Sequence, residues 1–174
     1  SMVMVKVAKE HRNDVITGIA GHKGFSIIAV EKALMNNELG FGRRVLEVLE
    51  RNAISFEHMP TGIDTMSVIV SGDSVKGKLD AVLQEIAEQV EPDSIEVEEG
   101  VSLIATVGRG MIHTPGTAAR VFRALSEANI NVRMIDQGSS ELNIIVGVKD
   151  DDMEDAVRAI YYAFAAIAIR QNHM

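Results

Sequence analysis

The 174-residue chain has no cysteine, no tryptophan and only three prolines, and aromatic residues make up 4% of it. Without cysteine there is no thiol nucleophile, no thiolate zinc site and no disulfide framework. So few aromatic rings leave little for the base-stacking platforms of RNA-recognition sheets. Cations are also scarce. The 17 Lys and Arg against 25 Asp and Glu give a formal charge of −8, the wrong sign for a face that displaces counterions from nucleic acid. No apolar run approaches the ~18 residues of a membrane span and no signal peptide opens the chain, so it reads as soluble and cytoplasmic. The opening Ser1-Met2 looks like a tag-cleavage scar, which leaves room for a fragment of a longer protein. A chain of this size buries about 70% of its unfolded surface and needs no staple.

The dominant positive feature is an internal repeat. Residues 26–72 lie on 102–148 without a gap at an offset of 76, and 12 of the 47 positions are identical. Among them are Ser26/Ser102, Met35/Met111, Gly40/Gly116, Arg44/Arg120, Leu49/Leu125 and Gly62/Gly138. A gapless match with glycines in register marks a tandem duplication.

Each repeat reads as strand, helix, strand, strand, helix. Residues 25–30 and 102–107 are short apolar runs rich in β-branched side chains. Residues 40–52 and 116–129 place Val45, Val48 and Leu49, or Val121, Ala124 and Leu125, on one helical face. Thr114-Pro115-Gly116 predicts a helix start with Thr114 as cap and Pro115 in the first turn. Strands over 55–59 and 66–71, and over 131–136 and 142–148, flank turns at Gly62 and Gly138. A second helix spans about 74–90 in unit one and is matched by Met153, Ala156, Val157, Ile160, Tyr161 and Phe164 in unit two. The alternation over 93–98 closes unit one as βαββαβ, a ferredoxin-like sandwich. Unit two lacks a closing strand, and a spare one stands at 14–20. The expectation is therefore an α+β protein of two βαββαβ domains, each an antiparallel four-stranded sheet with helices on one face. Domain one covers 25–100 and is inserted into domain two, which covers 14–24 plus 101–168.

No catalytic constellation assembles. Gly40-Phe41-Gly42-Arg43-Arg44 lacks the Walker spacing and ending. His11, His22, His58, His113 and His173 stand at no metal-ligand spacing. There is no nucleophile elbow. The carboxylate runs at 91–99 and 149–155 read as solvated helix ends. Met59, Met66, Met134 and Met153 read as core filler. The chain is expected to be no enzyme, with neither metal nor cofactor.

The wording goes further than the fold. Glu57-His58-Met59-Pro60-Thr61-Gly62-Ile63-Asp64, Ala105-Thr106-Val107-Gly108-Arg109-Gly110-Met111, Thr114-Pro115-Gly116-Thr117-Ala118-Ala119-Arg120-Val121-Phe122 and Asn131-Val132-Arg133-Met134-Ile135-Asp136-Gln137-Gly138-Ser139-Ser140-Glu141-Leu142-Asn143 resemble the regulatory half of aspartokinases. That half is a tandem of ACT domains, with the first inserted in the second. The resemblance covers residues 14–166. It implies a homodimer formed through ACT domains, and an N-terminal kinase domain whose Lys-Phe-Gly-Gly signature is absent here. It also implies a free amino acid as partner, binding for feedback inhibition of aspartate phosphorylation in lysine, threonine and methionine biosynthesis. Neither nucleic acid nor membrane is an expected partner.

An effector carboxylate suits a helix N-terminus, and the turn over 35–42 supplies one. Its ammonium suits the carbonyls and carboxylates of 55–57 and 61–64. In aspartokinases the effector is similarly held between the first strand–helix loop of one ACT unit and the second strand of a partner unit. Carried onto this chain, the resemblance singles out Met35, Glu38, Gly40, Phe41, Gly42, Ser55, Phe56, Glu57, Thr61, Gly62 and Asp64. Other readings stand beside these. Phe41 serves equally as a core anchor, Met35 as a structural residue shared with Met111, and Glu57 as an exposed strand carboxylate where the lysine-sensitive pattern has aspartate. Glu38 replaces a small residue, supplying a carboxylate or narrowing the pocket. Unit two offers a parallel second set: His113, Thr114, Pro115, Gly116, Thr117, Asn131, Asp136 and Gln137. The carboxylates Glu38, Glu57 and Asp64, set against Arg43-Arg44, favour lysine over threonine as effector. A ligand-blind dimerisation scaffold is the rival reading.

Overall fold

The computed structural model describes residues 2–6, 16–108, 110–111, 114–138 and 143–171. In chain order the elements are β1 (Met2–Lys6), β2 (Gly18–Glu31), α1 (Phe41–Arg51), β3 (Phe56–His58), β4 (Thr65–Ser71), α2 (Gly72–Val75) and α3 (Leu79–Val90). They continue with β5 (Ser94–Val107), α4 (Thr117–Glu127), β6 (Met134–Asp136), β7 (Asn143–Lys149) and α5 (Met153–Gln171). Short 3-10 turns stand at Met35–Asn37 and Asp150–Asp152. Two compact units emerge: Gly24–Val101, and Ser1–Lys23 together with Ser102–Met174. The chain crosses between them inside β2 and inside β5.

In the unit Gly24–Val101 the strand order is β3-β4-β2-β5. Phe25 pairs with Ser71 and Glu31 with Thr65 across antiparallel β2 and β4. Helices α1 and α3 pack together on one face. Val45, Val48 and Leu49 of α1 and Val82, Ile86 and Val90 of α3 close over Ile28, Val30, Met66, Val68 and Val70. The spacing of three and four residues on the helices and two on the strands puts every one of these on the facing surface.

In the other unit the order is β2-β5-β7-β6, with Met134 opposite Gly147 and Asp136 opposite Ile145. The Thr17 amide and hydroxyl both donate to the Val107 carbonyl, at 2.8 and 3.1 Å. Helices α4 and α5 bury Val121, Leu125, Met153, Ala156, Val157 and Ile160 against Ile104, Ile144, Val146 and Val148. Each unit is an α+β sandwich with an antiparallel sheet and helices on one face. Met66, Met134 and Met153 are buried, and Met59 packs partly against the core.

Several sequence expectations need correction. The helix over 74–90 is two pieces, α2 and α3, because Gly77 takes a left-handed φ of 76° between them. Continuous apolar spacing hid that break. The strand expected over 14–20 starts at Gly18, with Ile16 and Thr17 outside it and Asp14 and Val15 outside the described residues. The strand start at Leu142 and the site residue His113 also lie outside them. Residues 2–6, of which the sequence reading takes only Ser1-Met2 as a scar and assigns no strand, form β1 and pair with β2 from Met2↔His22 to Lys6↔Gly18. Thr114 is not the cap of α4: Gly116 holds that place at φ 86°, and the Thr117 hydroxyl donates to the Thr114 carbonyl at 2.9 Å. Among the described residues no helix is long and apolar enough to cross a membrane.

Candidate functional site

The loop between β2 and α1 is fastened from three directions. The Lys32 amide donates to the Asp64 carbonyl at 2.8 Å, and the Asn36 amide donates to that of Ile63 at 3.1 Å. The Leu34 amide donates to Asp64 Oδ1 at 2.8 Å, and the Ala33 amide to Asp93 Oδ2 at 2.7 Å. Leu34 itself sits in the left-handed region at φ 57°. The chain then enters α1 through Gly40 at φ 78°, a conformation that glycine alone adopts without strain. No side-chain hydrogen bond caps α1; its first N–H, that of Phe41, donates to the Glu38 carbonyl at 3.2 Å at the positive end of the helix.

Glu38 ends the 3-10 turn and folds back as the centre of an ion triad. Its carboxylate accepts from Lys32 Nζ at 2.7 Å and, in a second contact, from Arg44 Nη2. Lys32 Nζ also donates to the Val90 carbonyl at 2.6 Å, at the C-terminus of α3 where a cation is favoured. The same ammonium lies 5.9 Å from the Phe41 ring centroid. Hydrogen bonding from Lys32, opposed by partial desolvation and helped by the charges of Lys32 and Arg44, holds the Glu38 carboxyl below its ordinary range.

The expected site residues divide into two places. Met35, Glu38, Gly40, Phe41 and Gly42 gather on the entry loop and the start of α1, beside Thr61, Gly62 and Asp64. The Asp64 carboxylate and the Asp64 and Ile63 carbonyls bind that loop directly. Met35 and Phe41 are packed into the core. Ser55, Phe56 and Glu57 stand at the other end of the sheet, where Phe56 pairs with Val70. The step from Thr65 to Val70 along β4 is about 17 Å at strand rise. Ser55 and Phe56 line an open groove of about 610 Å³ with Leu46, Leu49, Glu50, Ala53 and Ile54. Phe56 is 45% exposed, and Glu57 is exposed on β3 with no ion pair among the described residues.

Two corrections follow for the electrostatics. The Glu38 carboxylate is paired with both Lys32 and Arg44, so its charge is compensated within the loop. Asp64 is likewise engaged by the Leu34 amide. An amide donor leaves the Asp64 charge in place, so the negative surplus counted along the sequence rests on Asp64 and Glu57. Lys32 was missed as a site residue. Its one signal in sequence was a lysine closing an apolar strand, since the turn that returns Glu38 to it exists only in the fold.

In the second unit Gly116 repeats the left-handed entry of Gly40, and α4 also has no side-chain cap. Thr117 is buried, Thr114 and Asp136 are half-buried, and Pro115, Asn131 and Gln137 are exposed. Among the described residues no group of three or more His, Asp or Glu is arranged to hold a metal ion.

Residues 104–164 match the family model of the ACT domain. Over about 90% of its length the chain is similar to aspartokinases. It is 42% identical over 163 residues to aspartokinase 3 of Bacillus subtilis, covering 91% of this chain and 35% of the relative. It is similar to the aspartate kinase of Clostridium acetobutylicum, with a TM-score of 0.84 at 51% identity over 90% of this chain and 36% of that one. It shares its fold with the ligand-free regulatory subunit of aspartate kinase from Thermus thermophilus, with a TM-score of 0.74 at 23% identity over 86% of this chain and 98% of that one. The chain thus spans about a third of the length of the curated relative it matches over nearly its whole extent.

Proposed function

We propose that this chain is the amino-acid-sensing part of an aspartokinase and that it takes lysine, a pathway end product, as feedback effector. In this reading both repeats are ACT domains, with residues 25–100 inserted into a domain made of 14–24 plus 101–168. The rest of the parent carries an ATP-dependent kinase that phosphorylates the aspartate side-chain carboxylate in the cytoplasm, and this chain carries none of that chemistry. The observation that supports the reading most is the start of α1 behind Gly40, which no side chain caps and whose positive end suits an effector carboxylate. A partner copy's β3 edge, bearing Ser55, Phe56 and Glu57, completes the site in a homodimer. Glu57 then meets the side-chain ammonium of lysine, because an ammonium taken out of water needs a carboxylate. Binding biases one dimer arrangement over another.

A second reading has threonine as effector. It is favoured by the pairing of Glu38 with Lys32 and Arg44, which leaves fewer uncompensated carboxylates than sequence counting gave.

Thermal unfolding with lysine, threonine, methionine and diaminopimelate separates these readings. An effector at 100 times its dissociation constant stabilises the fold by about 2.7 kcal/mol, a shift of several degrees. Lysine alone should raise the midpoint and Glu57→Ala should abolish the rise. A rise with threonine alone selects the second reading. If no amino acid moves the midpoint while self-association is strong, the chain is a dimerisation scaffold and the sensor reading fails.

A further inference from the structure

We propose that Lys32 is a positioning residue of the effector loop, acting through Glu38 to hold the entry to α1 in the arrangement that receives an effector. The proposal rests on the sensor reading above and adds a residue to it.

Three observations carry it. Lys32 is the point at which separate elements of the unit meet: its backbone directly follows β2, its ammonium reaches Val90 at the end of α3, and the same ammonium grips Glu38 in the loop. The backbone anchors from Asp64 and Asp93 secure only Lys32, Ala33, Leu34 and, through Ile63, Asn36. From Glu38 to Gly40, the stretch that delivers the chain to the α1 N-terminus, the side-chain attachments run through Glu38 to Lys32 and Arg44, with Arg44 Nη1 also reaching the Leu39 carbonyl at 3.3 Å. Finally, Leu39 is 94% exposed, so no packing of its own side chain fixes that stretch.

Chemistry gives the direction. A loop with one well-populated arrangement binds at its intrinsic affinity, whereas a loop that visits that arrangement a tenth of the time binds about tenfold more weakly. Lysine at 32 also keeps the Glu38 charge neutralised beside the helix N-terminus where an effector carboxylate would sit.

The test is calorimetric titration of the whole 174-residue chain with lysine, and with threonine as a second probe. The wild type is compared with Lys32→Met, Glu38→Gln, the double variant and Lys32→Arg, each checked for native circular dichroism. Lys32→Met and Glu38→Gln should each weaken binding about tenfold. The double variant should lose no more than either single one, because both remove the same contact. Lys32→Arg should restore binding to near wild type. A roughly hundredfold loss in the double variant would show two independent effects and overturn the proposal. So would wild-type affinity in folded Lys32→Met and Glu38→Gln. If the wild type binds neither amino acid, the sensor reading itself falls and this proposal with it, an outcome distinct from loss of the clamp alone. Should Lys32→Met not fold, Glu38→Gln and Lys32→Arg decide the matter by the same criteria.

Discussion

Val30 and Thr106 occupy equivalent positions in the two repeats, both with no measurable exposure, and Thr106 there buries a hydroxyl that has no hydrogen-bond partner. A buried, unpaired hydroxyl costs about 1–3 kcal/mol by mutational measures. Valine has the same shape and already fills this place in the other repeat. Thr106→Val should therefore stabilise the protein by about 1 kcal/mol and raise the melting midpoint by about 2–4 °C. A lower midpoint would mean that the hydroxyl is used.

Glu38 gives the protein an acid-sensitive contribution. The folded state favours its charged form, so its pKa lies below the ordinary 4.5. The associated stability is fully present above that ordinary value and is lost as the pH falls through the lowered folded value. Glu38→Gln should be less stable than wild type near neutrality, and the two should converge in acid. Urea melts across this range check the sign; a gap that widens in acid would contradict it.

Glycine matters by position in this fold. A Cβ added at Gly72 would lie 2.9 Å from the Gly24 carbonyl oxygen, a backbone atom that cannot swing aside. At Gly138 an added Cβ meets nothing within 4 Å. Gly72→Ala should cost about 1–3 kcal/mol as overpacking, while Gly138→Ala should stay within about 0.5 kcal/mol of wild type. Denaturant midpoints of the two variants make the comparison directly.

Leu49 and Leu125 are equivalent, fully buried helix residues, one in each core. Truncating either to alanine should cost about 2–5 kcal/mol, the lost transfer energy plus the cavity left behind. Hydrogen exchange gives the finer prediction. Leu49→Ala should speed exchange chiefly in α1, α3 and β4, and Leu125→Ala chiefly in α4, α5 and β7.

Much of this architecture was legible in the sequence because duplication prints the same constraints twice. Gly40 and Gly116 match at offset 76, and both turn out to need the left-handed backbone before a helix. The paired faces of α1 and α4 were readable for the same reason, since apolar spacing directly reports burial. What escaped was structure with no periodic signature. The break at Gly77 lies inside spacing that remains helical on either side. The continuity of β5 through Gly100, at φ 69°, was read as two separate strands. In the candidate site, sequence counting supplied the carboxylates but not their partners. Glu38 and Lys32 are six positions apart, and only the intervening turn makes them an ion pair.

The unit Gly24–Val101 is entered through β2 and left through β5, which are hydrogen-bonded neighbours within that unit's own sheet. Its two ends consequently emerge side by side, the arrangement found where domain insertion succeeds. Such a piece is a cassette. It can be lifted out as one contiguous stretch of gene and replaced by another of the same architecture without a long linker or a rethreaded chain. Exchanging that one block leaves the order of the surrounding sequence unchanged.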